Sequence, residues 1–150
     1  MYTHAPVMMV QRIAGHLIAE PAAATSSPSV IRWGVMGTAN IANIVLPALV
    51  AAPGCEVLAC ASRSDEKAKA WAAERNIPRA YGSYQKLLAD PDIDAVYIPL
   101  PTTLHVEWVH KAAAAKKHIL VEKPVALSAE DARAMVEACD TAGVLLMDAV

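Results

Sequence analysis

The chain has 150 residues, of which 55% are hydrophobic, and its mean hydropathy is +0.32. That length and apolar content are enough for the core of one ordinary domain. A formal net charge of −2 and a pI near 6.2 provide no strong positive field, so neither nucleic acid nor an anionic membrane is indicated as a partner.

The three cysteines, Cys55, Cys60 and Cys139, are odd in number and include no C-x-x-C pair, which argues against a disulfide framework or a structural zinc site. We expect all three to be small buried hydrophobic residues. His105 and His110 are five apart, about 140° around a helix, so one helix face cannot present both to a metal. The sequence therefore predicts no metal site.

Residues 1–29 differ in composition from the rest of the chain and end in a run of small residues typical of a linker. A signal peptide is the alternative, because Arg12 precedes the apolar residues 13–19. However, His16 and Glu20 interrupt that short apolar region. No apolar run is long enough to span a bilayer. We expect residues 1–29 to be a flexible extension and the protein to be cytoplasmic.

From Val30 onward, short apolar runs alternate with longer helical patterns, which is typical of repeated βαβ units and a parallel sheet. The predicted first strand, residues 31–36, runs into residues 37–42 with the spacing G-x-A-x-x-A. This spacing is a variant of the dinucleotide-binding turn, in which backbone N–H groups and a helix amino end receive a pyrophosphate. Gly37 permits the tight turn, and Ala39 adds one methyl group where the backbone approaches phosphate. An ordinary strand–turn–helix connection is the alternative.

The predicted first helix is capped by Asn40 and extends to Ala52, and Pro47 inside it is expected to kink it or remove one backbone bond. The further predicted strands are residues 56–61, 80–81, 95–98, 118–121 and 144–147, and the further helices begin at Ser64, Ser83, Leu104 and Ser128. Right-handed crossovers place the carboxyl ends of all these strands along one edge of the sheet. The predicted fold is a single α/β domain with a Rossmann-like, doubly wound parallel sheet.

Ser62 and Arg63 follow the second strand, where a dinucleotide-binding domain meets the adenosine ribose. An acidic residue there favours NAD, whereas serine and arginine offer donors and positive charge to a 2′-phosphate. Lys67, in the first turn of the next helix, can add a second cation. The local charge therefore favours NADP over NAD. The alternative is that Arg63 and Lys67 are solvated surface residues.

Two more strand ends complete this edge. Residues 99–103 cannot continue a ladder, because the two prolines in this run donate no backbone bond. Glu122 and Lys123 follow the fifth strand and are expected to form an ion pair where ligands bind to open α/β sheets. Lys123 is the candidate catalytic residue, because an ammonium can stabilise a developing alkoxide or donate to a carbonyl that receives hydride. A structural salt bridge is the alternative, and Glu122 is expected to orient nearby groups or to contact the nicotinamide ribose.

Taken together, these runs resemble the cofactor domain of the Gfo/Idh/MocA oxidoreductase family, in its branch of glucose-fructose oxidoreductase and dihydrodiol dehydrogenase. The resemblance covers about residues 30–150 and is carried by an ordered set: residues 34–42, 61–63, 94–101, 104–105 and 117–124. It implies an NAD(P)-dependent enzyme that acts on a sugar, polyol or diol. Thr102 departs from the family pattern, which often has asparagine there.

The resemblance also implies site residues. Lys123 matches the active-site lysine of the family, and Ser62 and Lys67 match positions that hold the 2′-phosphate in its NADP-using members. Three residues fall where the family lines its cofactor cleft: Pro99, Leu100 and His105. The expected cofactor is NADP, with NAD as the alternative, and the predicted cofactor-binding set is Gly37, Thr38, Ala39, Asn40, Ile41, Ser62, Arg63, Lys67, Pro99, Leu100, His105, Glu122 and Lys123.

Members that resemble this chain continue into an α+β domain with a large open sheet, which supplies the substrate walls and the usual dimer surface. We expect that domain to be absent from this chain, so that residues 30–150 form a cofactor half with little activity of its own. A carbohydrate or diol is the expected substrate, and a homo-oligomer is expected only when the second domain is present. The alternatives are a non-catalytic dinucleotide-binding module and an inactive truncated fragment.

Overall fold

The structure is a computed structural model and describes residues 30–149, so the predicted flexible extension at residues 1–29 lies outside the described residues. Six strands form one sheet: β1 (Ile31–Met36), β2 (Cys55–Ala61), β3 (Arg79–Tyr81), β4 (Ala95–Ile98), β5 (His118–Glu122) and β6 (Leu146–Ala149). Their order is β3-β2-β1-β4-β5-β6, and each neighbouring pair is parallel. The predicted doubly wound α/β sheet is confirmed.

The described residues contain five α-helices: α1 (Ala42–Ala51), α2 (Asp65–Ala73), α3 (Tyr84–Leu88), α4 (His105–Ala114) and α5 (Ala129–Ala142). A 3₁₀ turn, Thr102–Leu104, precedes α4. The predicted serine caps of α2, α3 and α5 are confirmed, because each hydroxyl oxygen accepts from a backbone N–H in the first turn at 3.0–3.3 Å. The capping serines are Ser64, Ser83 and Ser128.

Asn40 does not cap α1 as predicted. The residue before α1 is Ile41, whose backbone is already helical (φ −62, ψ −30), and no side chain accepts from the first turn. A capping residue needs an extended backbone. Here the chain winds into α1 through backbone bonds instead, one of them from Asn43 N–H to the carbonyl of Asn40 at 3.0 Å. Pro47 lies inside α1, which continues to Ala51 with one backbone donor fewer.

The sixth strand begins later than predicted. The predicted start was Val144, whereas β6 is Leu146–Ala149. Gly143 ends α5 in a left-handed conformation (φ 71), and the N–H of Val144 then closes the helix end by donating to a carbonyl of its last turn. Because that donor belongs to the helix end, the regular strand begins only at Leu146.

Helices cover both faces of the sheet. On one face, α3, α4 and α5 bury residues such as Leu87, Val109 and Met135. On the other face, α1 and α2 bury residues such as Leu46 and Trp71. This two-sided burial explains the nearly continuous apolar strands of the sequence. The order of the strands reverses between β1 and β4, so the switch point of the fold lies there.

Charged side chains form bonds with one another at the amino edge of the sheet, which is the edge formed by the amino ends of the strands. This edge lies opposite to the predicted site. Arg32 in β1 donates to Asp94 at 3.0 Å, and Arg79 in β3 donates to Asp90 at 2.8 Å. The buried Lys117 donates to two backbone carbonyls of the loop before β4, both at 2.8 Å. This ionic cluster, Arg32, Arg79, Asp90, Asp94 and Lys117, fixes that loop beneath the strands.

The cysteines differ in exposure. Cys60 and Cys139 are buried, as predicted, and Cys55 is only partly buried. Burial raises the pKa of the Cys60 thiol to about 11. Cys60 is therefore a protonated, unreactive thiol at neutral pH.

Candidate functional site

The residues predicted as a site come together along the carboxyl edge of the sheet, the edge formed by the carboxyl ends of the strands. Gly37 follows β1, Ser62 and Arg63 follow β2, Pro99 follows β4 and Lys123 follows β5. These four parallel strands are neighbours in the order β2-β1-β4-β5. The carboxyl edge therefore crosses the switch point, where ligands bind in open α/β sheets.

Gly37 forms the turn between β1 and α1. Its φ of 123° lies in a region that other residues rarely adopt, and its N–H donates to the carbonyl of Ala61 at 2.9 Å. A Cβ added to Gly37 would lie 3.1 Å from Cδ2 of Leu100, which is tighter than an ordinary contact. Both the backbone conformation and the available space therefore require glycine here.

The backbone donors that follow Gly37 are free. Within residues 30–149, Gly37 and Ala42 donate to carbonyl oxygens, but no acceptor is present for the N–H groups of the four residues between them: Thr38, Ala39, Asn40 and Ile41. These groups belong to the amino end of α1, which carries partial positive charge. A phosphate or pyrophosphate is the kind of ligand that satisfies such donors.

Ser62, Arg63 and Lys67 lie together at the end of β2. Ser62 is buried, and its Oγ accepts from the N–H of Ser64 at 3.4 Å. Arg63 and Lys67 are exposed, and none of the ion pairs within residues 30–149 involves either of them. The structure thus brings a hydroxyl and two unpaired cations to the place where the sequence predicted them.

A cavity of about 370 Å³ opens beside Arg63, in the size range of a small-molecule site. Residues of α3 and α4 line it, among them Tyr84 and Trp108, whose rings meet edge to face with centroids 5.0 Å apart. A larger cavity of about 590 Å³ lies between α4 and α5. Its walls are mostly alanine, and it lies away from the strand ends, so the smaller cavity is the one that adjoins the candidate site.

Pro99 and Leu100 are buried at the end of β4, and Leu100 packs over Gly37. His105 is fully buried, and both of its ring nitrogens face backbone carbonyl oxygens: Nε2 lies 2.8 Å from that of Leu100 and Nδ1 3.0 Å from that of Val125. Neither nitrogen is free for a ligand. His105 therefore lies beneath the predicted cleft and holds the loop after β4 against the loop after β5.

The predicted ion pair between Glu122 and Lys123 is wrong. Glu122 is 7% exposed; its Oε1 accepts from the phenol of Tyr97 at 2.6 Å and its Oε2 from the backbone N–H of Lys123 at 3.2 Å. The Lys123 side chain is exposed and forms no salt bridge within residues 30–149. Consecutive residues of an extended segment point in opposite directions, which separates the two charges.

Tyr97 is a residue that the sequence analysis missed. It is fully buried in β4, and burial together with the hydrogen bond to Glu122 raises the pKa of its phenol well above the ordinary value. Tyr97 therefore remains a hydrogen-bond donor at any physiological pH. A tyrosine inside an apolar strand was the available signal, since a buried phenol usually has a polar partner.

In the part of the chain that the structure describes, no group of three or more His, Cys, Asp or Glu side chains has the arrangement of a metal site. Similarly, none of the described helices combines the length and the hydrophobicity that a bilayer span requires.

Residues 31–149 match the model of the Gfo/Idh/MocA family, an oxidoreductase family with an NAD-binding Rossmann fold. An uncharacterized oxidoreductase of Rhizobium meliloti is 48% identical, over 80% of this chain and 36% of the relative. The NADP-dependent D-xylose 1-dehydrogenase 2 of Haloferax volcanii is 49% identical, over 78% of this chain and 36% of the relative. Trans-1,2-dihydrobenzene-1,2-diol dehydrogenase of Mus musculus is 38% identical, over 80% of this chain and 37% of the relative. The chain thus spans little more than a third of the length of these relatives.

Solved structures agree with these matches. A 3-ketoreductase from Actinomadura kijaniata, determined in complex with TDP-benzene and NADP, has a TM-score of 0.75 and 44% identity, over 79% of this chain and 37% of that one. A probable dehydrogenase from Thermotoga maritima has a TM-score of 0.73 at 30% identity, over 79% and 35%. The shared part is the sheet and helices described above.

Proposed function

The chain belongs to the Gfo/Idh/MocA family of oxidoreductases, and from this premise we propose that it binds NADP(H) along the carboxyl edge as the cofactor half of an enzyme that transfers hydride to or from a sugar, polyol or diol. One observation carries the proposal. The free donors after Gly37, the cations after β2 and the unpaired Lys123 lie along one edge, across the switch point of the sheet.

The pyrophosphate is held by the turn after β1. Four backbone N–H groups, those of residues 38–41, have no acceptor within residues 30–149, and none of these residues is buried, so a ligand can reach the donors. The absence of a Cβ at Gly37 allows close approach of a ligand to the backbone. The residues present therefore fit a dinucleotide phosphate.

The 2′-phosphate of NADP is held by the end of β2. A serine hydroxyl and two unpaired cations, Ser62, Arg63 and Lys67, supply hydrogen-bond donors and positive charge, and no carboxylate stands among residues 61–64 to accept from ribose hydroxyls. The Haloferax relative is an NADP-dependent dehydrogenase, and the Actinomadura ketoreductase was solved with NADP, which supports this preference.

Lys123 acts on the substrate oxygen. A bound nicotinamide supplies or accepts the hydride. In reduction, the Lys123 ammonium would donate a proton to the carbonyl oxygen while the carbon receives hydride; in oxidation, the neutral amine of Lys123 would accept the hydroxyl proton while hydride leaves the carbon and the carbonyl forms. The relatives include a sugar dehydrogenase and a diol dehydrogenase, so both substrate classes support this assignment.

Glu122 and Tyr97 position the lysine. Tyr97 fixes one oxygen of Glu122, and the other oxygen accepts from the backbone N–H of Lys123. Because this chain of bonds ends on the main chain of Lys123, it fixes the point from which the long side chain projects. The reacting ammonium stays free of a carboxylate that would compete with the substrate.

Replacement of Lys123 tests the proposal. Titration of the chain with NADPH by calorimetry should give nearly the same affinity for wild type and Lys123→Ala, because the lysine serves the substrate. Turnover is measured in a chimaera in which residues 30–149 replace the matching part of the Haloferax D-xylose dehydrogenase. Lys123→Ala should lower kcat on D-xylose by about 10²-fold or more, the contribution of a positioned proton donor.

Lys116→Ala, which removes an exposed lysine bonded to the carbonyl of Ala142, is the matched control and should keep the chimaera's activity. A Lys123→Ala chimaera as active as its parent contradicts the catalytic role and favours a non-catalytic dinucleotide-binding module. The absence of binding heat with both NADPH and NADH contradicts the cofactor assignment itself.

A further inference from the structure

Tyr84, the first residue of α3, has a mostly buried ring, and its hydroxyl has no partner among residues 30–149. The residue is 7% exposed, and within residues 30–149 no group bonds to its oxygen. The other tyrosines that the structure describes behave differently: Tyr81 donates to Asp90 at 2.7 Å, and Tyr97 donates to Glu122 at 2.6 Å. Of the three described tyrosine hydroxyls, that of Tyr84 is therefore the one left available to a ligand.

The Tyr84 oxygen faces the turn after β1. It lies 3.9 Å from the point that a Cβ on Gly37 would occupy. Trp33 Nε1 is the one side-chain polar atom of the described residues that is both fully buried and unpartnered. The Tyr84 oxygen is therefore still reached by solvent, and a ligand at the turn can reach it too.

Tyr84 also lies beside the residues after β2. Together with Arg63 it lines the cavity of about 370 Å³. Burial raises the pKa of the phenol and the nearby charge of Arg63 opposes this, with a net result above the ordinary value of 10.0. The phenol is consequently a donor, not an anion, at neutral pH.

We propose that Tyr84 is a further cofactor-binding residue, whose phenol donates a hydrogen bond to an acceptor atom on the adenosine half of the dinucleotide. This inference rests on the proposed function. The adenosine half is favoured because Tyr84 lies between the turn after β1 and Arg63 after β2, whereas Lys123 and the nicotinamide end lie across the switch point, after β5. The edge-to-face contact with Trp108 holds the ring in place, so little side-chain freedom is lost when the bond forms.

The test is Tyr84→Phe, which keeps the ring and its contact with Trp108. Calorimetric titration of the full chain uses two probes: NADPH, and 2′,5′-ADP as the adenosine half alone. Loss of one hydrogen bond should weaken both probes by the same factor, about three- to tenfold. Tyr81→Phe removes a phenol that serves the amino edge and should leave both affinities unchanged.

Several outcomes overturn the inference. Unchanged affinities in Tyr84→Phe would show that the phenol meets only solvent, and a loss confined to NADPH would place its acceptor outside the adenosine half. A wild-type chain that binds neither probe would overturn the proposed function and this inference with it, which is a distinct result.

A measurement on the wild-type chain does not depend on the variant folding. With tyrosine labelled by ¹³C at Cζ, saturation with 2′,5′-ADP should shift the resonance of Tyr84 and leave that of Tyr81 in place. A Tyr84 resonance that does not move at saturation contradicts the contact.

Discussion

At the scale of single residues, the carboxyl edge depends on groups that the protein leaves without partners. The N–H groups of residues 38–41, the Lys123 ammonium and the Tyr84 phenol have no acceptor within residues 30–149, while the neighbouring Glu122 has two donors. A ligand can bind such groups without first breaking a bond within the protein. Their concentration at one edge is the main physical sign of a ligand site.

The substitution Gly37→Ala tests the role of the turn after β1. Gly37→Ala forces a side chain into a left-handed conformation with a Cβ 3.1 Å from Leu100, and should lower the free energy of unfolding by about 1–3 kcal/mol. It should also weaken NADPH binding, because relief of the clash with Leu100 shifts the turn that carries the free N–H groups of residues 38–41. Chemical denaturation and calorimetry measure the two effects.

Gly54→Ala is the matched control. Gly54 also has a positive φ, of 75°, but nothing lies within 4 Å of an added Cβ and the residue is at the opposite edge of the sheet. The control should lose stability and keep its affinity for NADPH. Wild-type affinity in Gly37→Ala would contradict the assignment of the turn.

Among the secondary-structure elements, the two edges of the sheet differ in function: one stabilises the fold and the other is the candidate binding site. The amino edge is closed by the ionic cluster, in which the two arginines and Lys117 all have partners. The carboxyl edge keeps its cations free. The same parallel sheet thus separates a structural edge from a binding edge, as the common direction of the strands requires.

The ionic cluster makes stability sensitive to acid. Burial alone would raise the pKa of Asp90, but the bonds from Arg79 and Tyr81 outweigh it and hold the pKa below the ordinary value of 3.8. A carboxyl group whose pKa is lowered in the folded state stabilises that state at pH values above its unfolded-state pKa. This stabilisation is lost as the pH falls through the folded-state pKa. We expect the free energy of unfolding to fall between about pH 5 and pH 2.

Asp90→Asn should remove part of that acid dependence and cost about 1–3 kcal/mol at neutral pH, because Arg79 loses the negative charge of its buried partner. Urea titrations at several pH values measure both effects. Asp65→Asn, which breaks an exposed pair with Lys69 on α2, should change stability much less. Equal pH profiles for wild type and Asp90→Asn would show that the acid sensitivity arises elsewhere.

At the scale of the whole molecule, ligand binding should stabilise the fold. At a hundred times its dissociation constant, a ligand that binds only the folded state adds about 2.7 kcal/mol to the free energy of unfolding. Equal concentrations of NADPH and NADH should therefore raise the thermal midpoint unequally, with the larger shift for NADPH.

The double variant Arg63→Ala/Lys67→Ala should remove most of the difference between the two coenzymes, because both free cations after β2 are lost. Lys69→Ala, which removes a cation of α2 that is already paired with Asp65, is the control and should preserve it. Differential scanning fluorimetry provides the measurement. Equal shifts for both coenzymes in wild type would contradict the NADP preference.

The framework of this protein follows from the pattern of its amino acids. The alternation of apolar runs and helical patterns predicts a parallel sheet because a strand buried on both faces must be apolar throughout. The serine caps of α2, α3 and α5 and the turn at Gly37 are local features, set by residues within a few positions of one another. The resemblance to the family likewise rests on short runs of residues in a fixed order, which can be read from the sequence.

The pairing of polar groups, in contrast, depends on how distant parts of the chain pack together. Glu122 bonds to Tyr97, 25 residues away, because β4 and β5 lie side by side in a register that the sequence does not state. For the same reason His105 bridges two loops, and Tyr84 comes to face Gly37. Strand order and register set contacts between residues distant in the chain, whereas caps and turns depend on near neighbours. Caps and turns can therefore be predicted from short stretches of sequence, whereas contacts between strands and loops become known only when the strands are packed in register.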